Sequence, residues 1–161
     1  MKLLIAKETT ESRSDEFVNE FLENTKSQFD TEIIFFDVSL NKEPKDFQGK
    51  FAVVDVDYED RNNINLMAMN TAFQNQFDAV LFFDKRCSPG NSIVDKLFEH
   101  MEDTNIDATY SDYSVDGVPM IQNKPVVICR RARQTDNDMY DLEKCEGIVK
   151  YIPLNLYDIK T

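Results

Sequence analysis

Ala79-Val80-Leu81-Phe82-Phe83 is apolar without a break and stops abruptly at Asp84. Successive residues of a strand point to opposite faces, so a strand with no polar alternation needs cover on both. Such a run reads as a central strand of a parallel sheet. Leu3-Leu4-Ile5-Ala6 has the same character, as does Ile33-Ile34-Phe35-Phe36 at the centre of a strand predicted over residues 31–38. Phe51-Ala52-Val53-Val54-Asp55-Val56 reads as a third, shorter strand, half exposed at its end.

Helical patterns separate these runs. Ser12 or Ser14 caps a helix with Asp15 and Glu16 in its first turn, and Phe17, Val18, Phe21 and Leu22 recur at helical spacing. Residues 65–76 read as a helix with Leu66, Met69, Ala72 and Phe73 on one face. After a Pro89-Gly90 turn, Ser92 caps a third helix whose buried stripe is Ile93, Leu97, Phe98 and Met101. Residues 41–50 read as a loop. The last third reads as strands over 108–113 and 126–129, a turn at Asp116-Gly117, a short helix over 136–145, a strand over 148–152 and an apolar tail over 154–159. The alternation predicts one α/β domain spanning residues 1–161, with a mainly parallel sheet and helices on both faces.

Composition narrows the function. The formal charge is -12 over 161 residues, which opposes binding to a phosphate backbone, so nucleic acid is not an expected partner. Cys87, Cys129 and Cys145 are odd in number and lie at no metal-ligand spacing; they read as reduced structural thiols. His100 is the only histidine, which excludes an imidazole-rich zinc site. The opening apolar run is too short for a signal peptide and no stretch reaches membrane-spanning length, so a cytoplasmic location without a membrane span is expected. The four glycines are isolated, and no phosphate-binding glycine loop occurs.

In parallel sheets, ligands bind beyond the carboxyl ends of the strands. Asp37, Asp55 and Asp84 all stand at such ends. The residues around Asp84 also resemble a known family. Asn62-Asn63-Ile64-Asn65 leads into Ala68-Met69-Asn70-Thr71-Ala72, and Asp78 to Phe83 runs into Asp84-Lys85-Arg86-Cys87-Ser88-Pro89. Further on comes Ala108-Thr109-Tyr110-Ser111-Asp112-Tyr113. Together these resemble the family-two nucleotide-sugar glycosyltransferases of GT-A fold. The first block is similar to the family's Asn-rich loop and helix, the second to the strand entering its Asp-x-Asp motif, and the third to a strand ending in Tyr-Ser-Asp.

The resemblance implies a domain that binds a nucleoside-diphosphate sugar through Asp37, Asn70, Asp84, Arg86 and Asp112. It also implies a divalent Mn²⁺ or Mg²⁺ held at Asp84, since hard cations take oxygen ligands. Arg86 stands where the family has its second acid, and a guanidinium cannot ligate a metal. Either Arg86 pairs with the diphosphate and stands in for the metal's charge, or the site has lost catalysis and Arg86 pairs with a neighbouring carboxylate. The second is favoured, because charge replacement alone does not restore Lewis-acid geometry. No match to the family's catalytic base is found around Asp136 and Asp138. The alternative reading is therefore a non-catalytic structural or assembly subunit that acts with a protein partner or as a homo-oligomer.

Three further groups have modest readings. Arg130-Arg131-Ala132-Arg133 is expected to form intramolecular ion pairs. The acidic run Asp55, Asp57, Glu59 and Asp60 lacks calcium-loop spacing and reads as a solvated turn. Tyr110, Tyr113, Tyr140, Tyr151 and Tyr157 are the candidates for an exposed interface.

Overall fold

The computed structural model describes residues 1–40, 51–120, 124–134 and 142–161. A nine-stranded sheet organises them, in the order β3-β2-β1-β4-β8-β6-β9-β5, with β7 paired to β6. Its first four members are β1 (Lys2–Thr9), β2 (Asp30–Asp37), β3 (Phe51–Asp55) and β4 (Ala79–Phe83). They are mutually parallel. The remainder are β5 (Cys87–Pro89), β6 (Ile106–Val115), β7 (Val118–Met120), β8 (Ile128–Arg131) and β9 (Ile148–Ile159). Here β6 and β9 are parallel, while β4–β8, β8–β6, β6–β7 and β5–β9 are antiparallel.

The expected mainly parallel sheet with helices on both faces is therefore corrected. The sheet is mixed and curls into a half-barrel, with 41% of the described residues in strands and 28% in helical turns. The reason lies in the last third of the chain, where helical patterns give way to short connections. The β6–β7 pair is antiparallel because its connection is too short for a parallel crossover, while β4–β8 and β5–β9 are antiparallel pairs between strands distant in sequence. The β6–β7 hairpin turns on Asp116 and Gly117 at φ 48° and 82°, a left-handed pair that suits Asp-Gly. The predicted strand over 148–152 and tail over 154–159 form a single twelve-residue strand, β9.

The helices are α1 (Asp15–Asn24), α2 (Ile64–Gln74) and α3 (Ile93–Phe98), the last continued by a 3-10 turn over Glu99–Glu102. Ser14, not Ser12, caps α1 and accepts from the Phe17 N–H at 3.3 Å. Ser92 sits at φ 69° before α3 and makes no capping side-chain bond. In α2 the buried stripe is Ile64, Ala68, Met69 and Ala72, while Phe73 is exposed. The predicted face was thus rotated: the three residues four apart set it, and Phe73 falls outside. The predicted helix over 136–145 lies mostly outside the described residues, and Leu142–Lys144 form a 3-10 turn. The loop predicted over 41–50 also lies outside them.

The alternation of side chains along β1 and β4 splits the core into two clusters. Leu3, Ile5, Phe35, Leu81 and Phe83 join Val18 and Phe21 of α1 and Leu97 and Phe98 of α3. Leu4, Ala6, Phe36, Val80 and Phe82 join Ala68, Met69 and Ala72 of α2. Phe21 is the pivot of the first cluster: its ring centre lies 5.3 Å from Phe35 and 5.8 Å from Phe83, both edge-on. Such contacts add to area burial. Two of the tyrosines offered as exposed are buried instead. Tyr157 is 2% exposed and Tyr113 8%. Their rings stack 5.1 Å apart, and the Tyr157 hydroxyl accepts from the Val126 and Val127 N–H groups at 3.1 Å each. Tyr140 lies outside the described residues.

Phe83 is fully buried at the join between β4 and α1. Phe83→Ala is expected to destabilise the fold by about 3–5 kcal/mol, read from urea unfolding followed by circular dichroism.

Candidate functional site

The parallel strands β1, β2 and β4 end along one edge of the sheet, which places Glu8 near the end of β1, Asp37 at the end of β2 and Asp84 just past β4 at that edge. Beyond β1 and β4 lies a cavity of about 370 Å³. Its polar wall comes from Glu8, Arg61, Asn62, Asn65, Asp84 and Arg86. Its apolar wall comes from Ile64, Phe82, Pro125 and Val126. Ile64 and Asn65 are the first residues of α2, so the amino end of that helix borders the cavity.

Both carboxylate oxygens of Asp84 accept bonds from Arg86. The Arg86 backbone N–H donates to its Oδ1 at 2.8 Å, and Arg86 Nη2 donates to its Oδ2 at 2.8 Å. Burial pushes the Asp84 carboxyl up, but the two bonds from Arg86 outweigh it and hold the group below its ordinary value. The same pairing raises Arg86. Lys7 fixes the backbone here: its Nζ donates to the carbonyl oxygens of Asp84 at 2.7 Å and Cys87 at 2.8 Å. Lys7 is 3% exposed, and burial lowers its pKa to about 8 against the pull of Cys87 and Asp84. Burial pushes the Cys87 and Cys129 thiols up to about 12, so neither is a thiolate nucleophile near neutral pH.

The sequence-selected residues separate. Asp84 and Arg86 stand together in the cavity wall. Asp37 is 1% exposed and enclosed by its own partners. Its Oδ2 accepts from the Ser12 hydroxyl and from Arg13 Nη1 at 2.6 Å; its Oδ1 accepts from the Ser39 hydroxyl and from the Ser39 N–H at 2.8 Å. Asn70 is exposed within α2 and does not line the cavity. Asp112 lies on β6, where both its carboxylate oxygens accept from the Tyr151 hydroxyl at 2.6 Å. Asp55 is reached by Arg13 Nη2 at 3.8 Å.

The residues that sequence reasoning missed are Glu8, Arg61, Asn62 and Asn65. Glu8 carried the same strand-end signal as Asp84. Asn62 and Asn65 stood in the Asn-rich block without being assigned a role. Nothing in the local sequence marked Arg61.

A divalent cation does not fit the surroundings of Asp84. Each carboxylate oxygen accepts a bond from Arg86, and the guanidinium charge beside Asp84 repels a cation. Among the described residues, no group of three or more His, Cys, Asp or Glu is arranged to hold a metal ion. Among them, also, no helix is long and apolar enough to cross a membrane. The basic cluster is internally committed: Arg131 donates to the carbonyls of Met101, Asp103 and Ile106, and Arg133 pairs with Asp107 and Glu146.

A second hollow of about 440 Å³ lies against α1, with Lys7, Glu11, Glu16, Glu20 and Lys85 in its wall. Arg86 borders both cavities. No family model matches the chain, and no curated protein matches it.

For Asp37, burial raises the carboxyl pKa, but the bonds from Ser12, Ser39 and Arg13 prevail and hold it below the ordinary 3.8. A carboxyl lowered on folding stabilises the protein above its unfolded pKa and loses that contribution as pH falls through its folded value. Wild-type stability is therefore expected to fall as the pH drops below the ordinary carboxylate value of about 4. Asp37→Asn is expected to be less stable at pH 7 and to show a shallower acid slope, measured by urea denaturation across that range.

Proposed function

We propose that this chain is a nucleotide-sugar-binding domain of the glycosyltransferase type that does not perform metal-dependent transfer. The observation that carries the reading is the cavity beyond β1 and β4, with Asp84 and Arg86 in its wall. Its chemistry suits such a ligand. Glu8 offers acceptors for sugar hydroxyls, Asn62 and Asn65 offer amides, and Phe82, Pro125 and Val126 offer apolar surface for a ring. The amino end of α2 favours negative charge. Because Arg86 occupies both oxygens of Asp84, the Lewis-acid step that a divalent metal supplies has no place here. The reading puts the protein in the cytoplasm, in keeping with three cysteines that form no disulfide.

Titration calorimetry with UDP-, GDP- and CDP-sugars tests it. One class is expected to bind, with affinity unchanged by Mn²⁺, and Asp84→Ala is expected to weaken that binding. No heat with any of the three ends the reading.

A second reading, a non-catalytic assembly subunit, is favoured by the outer surface of β9 and its neighbourhood. Ile148, Tyr151 and Leu154 are 58%, 37% and 43% exposed along one strand. Large apolar side chains left exposed on a strand are available for contact with another chain. Size-exclusion chromatography with light scattering is expected to show a complex or oligomer that Leu154→Asp dissociates; a wild-type monomer at every concentration and in its native extract contradicts it.

A further inference from the structure

The face of the sheet that forms the cavity continues past it. Leu81 of β4 lies opposite Cys129 of β8, and Cys129 lies opposite Thr109 of β6. The Thr109 hydroxyl donates to the Leu97 carbonyl oxygen of α3 at 2.9 Å, so this row of side chains faces α3. Successive residues of a strand alternate in direction, so the next row faces the opposite side, the one α2 covers. That row is Phe82, Ile128, Tyr110 and Tyr151. Phe82 lines the cavity of about 370 Å³ together with Ile64 and Asn65 at the start of α2. Tyr110 and Tyr151 therefore stand on the cavity's own face, two and three strands from Phe82. At ordinary strand spacing that is about 10 Å and about 14 Å along the sheet.

The two rings are held in place. Their centres lie 5.4 Å apart with the planes at 37°. The Tyr151 hydroxyl donates to both carboxylate oxygens of Asp112 at 2.6 Å, and Asp112 pushes its pKa up to about 12. The ladder between β6 and β9 shifts at this point: Ser111 pairs with Ile152, but Asp112 pairs with Asn155. Pro153 and Leu154 are the extra residues of β9. Bulges of this kind re-aim side chains and recur beside binding sites. Tyr151 is 37% exposed, although Tyr113 and Tyr157 on the same two strands are buried. An aromatic ring fixed by a neighbour but left open to water has little freedom to lose on binding.

An aromatic face attracts the positive C–H edge of a partner, while polar groups around it take hydroxyls. A sugar ring offers both, with C–H groups on its faces and hydroxyls at its rim. The net charge of -12 and the Asp112 carboxylate beside the rings oppose a phosphorylated ligand here. The tilt between the rings leaves no parallel slot for a flat base. We propose that Tyr110 and Tyr151 form a second sugar-ring subsite of the cavity, so that this face takes a neutral oligosaccharide with one unit in the cavity and another against Tyr151. The unit in the cavity rests on the nucleotide-sugar reading; the ring contact at Tyr151 does not.

The test is titration calorimetry on wild type, Tyr151→Ala and Tyr151→Phe. The probes are glucose, neutral trisaccharides of glucose, mannose, galactose and N-acetylglucosamine, UDP-glucose and uridine. At least one trisaccharide is expected to bind wild type about ten-fold more tightly than glucose does. Tyr151→Ala is expected to lose that gain. Tyr151→Phe, which keeps the ring and loses the bond to Asp112, is expected to retain part of it. Melting curves report whether each variant is folded; should Tyr151→Ala not fold, Tyr110→Ala carries the comparison. If a trisaccharide binds through Tyr151 and UDP-glucose does not bind, the subsite stands and the nucleotide-sugar reading fails. If UDP-glucose binds and no trisaccharide does, that reading stands and the subsite is overturned. No binding of any trisaccharide, or a trisaccharide gain unchanged in folded Tyr151→Ala, overturns the subsite whatever UDP-glucose does. Uridine binding that depends on Tyr151 overturns it in favour of a base. Light scattering that shows a wild-type oligomer dissociated by Tyr151→Ala overturns it in favour of a contact with another chain.

Discussion

Burial of both faces of β1 and β4 is the constraint from which the rest follows. Leu3 through Ala6 and Ala79 through Phe83 are at most 4% exposed. Removing that much apolar surface from water is the largest favourable contribution available to a domain of this size. It obliges the chain to place α1 and α3 over one set of alternating side chains and α2 over the other. It also obliges polar residues to wait for the strand ends. Glu8, Asp37 and Asp84 therefore emerge along one rim, and the cavity forms where that rim meets the start of α2.

Along that rim the acids meet different fates. Asp37 is surrounded by Ser12, Arg13 and Ser39, which tie the segment after β1 to the end of β2. It is a clasp, and its buried charge is tolerable because each oxygen has donors. Asp84 borders the cavity, tied to Arg86 through both its backbone N–H and its guanidinium. Lys7 sits beneath, stabilising two carbonyls of the turn that carries both residues. The rigidity of the turn comes from β1, while its exposed end chooses what meets the cavity.

The parallel half of the fold was legible, because unbroken apolar runs leave few alternatives. Ser14 and the acids of the first turn announced α1 as well. The second half was not legible, since its pairing depends on the partners that distant strands find. β8 enters between β4 and β6 against the direction of both, and no local pattern in Ile128 to Arg131 specifies that. Tyr157 reads as a surface aromatic until its hydroxyl is seen accepting two backbone N–H groups. At the site, Asp84 and Arg86 were found from adjacent residues in one motif. Arg61 was not, because its place in the cavity wall depends on its bond to the Val38 carbonyl, which only the fold brings to it.

The short strand β5 carries a consequence for how the domain assembles. Cys87, Ser88 and Pro89 find their ladder partners in Tyr157, Asp158 and Ile159, and the Lys160 N–H donates to the Arg86 carbonyl oxygen at 3.0 Å. Closing so long a loop is entropically slow. During synthesis the parallel strands can therefore collapse first, leaving the turn after β4 loose. The turn that carries Asp84 and Arg86 is thus completed by a strand about sixty residues further along the chain.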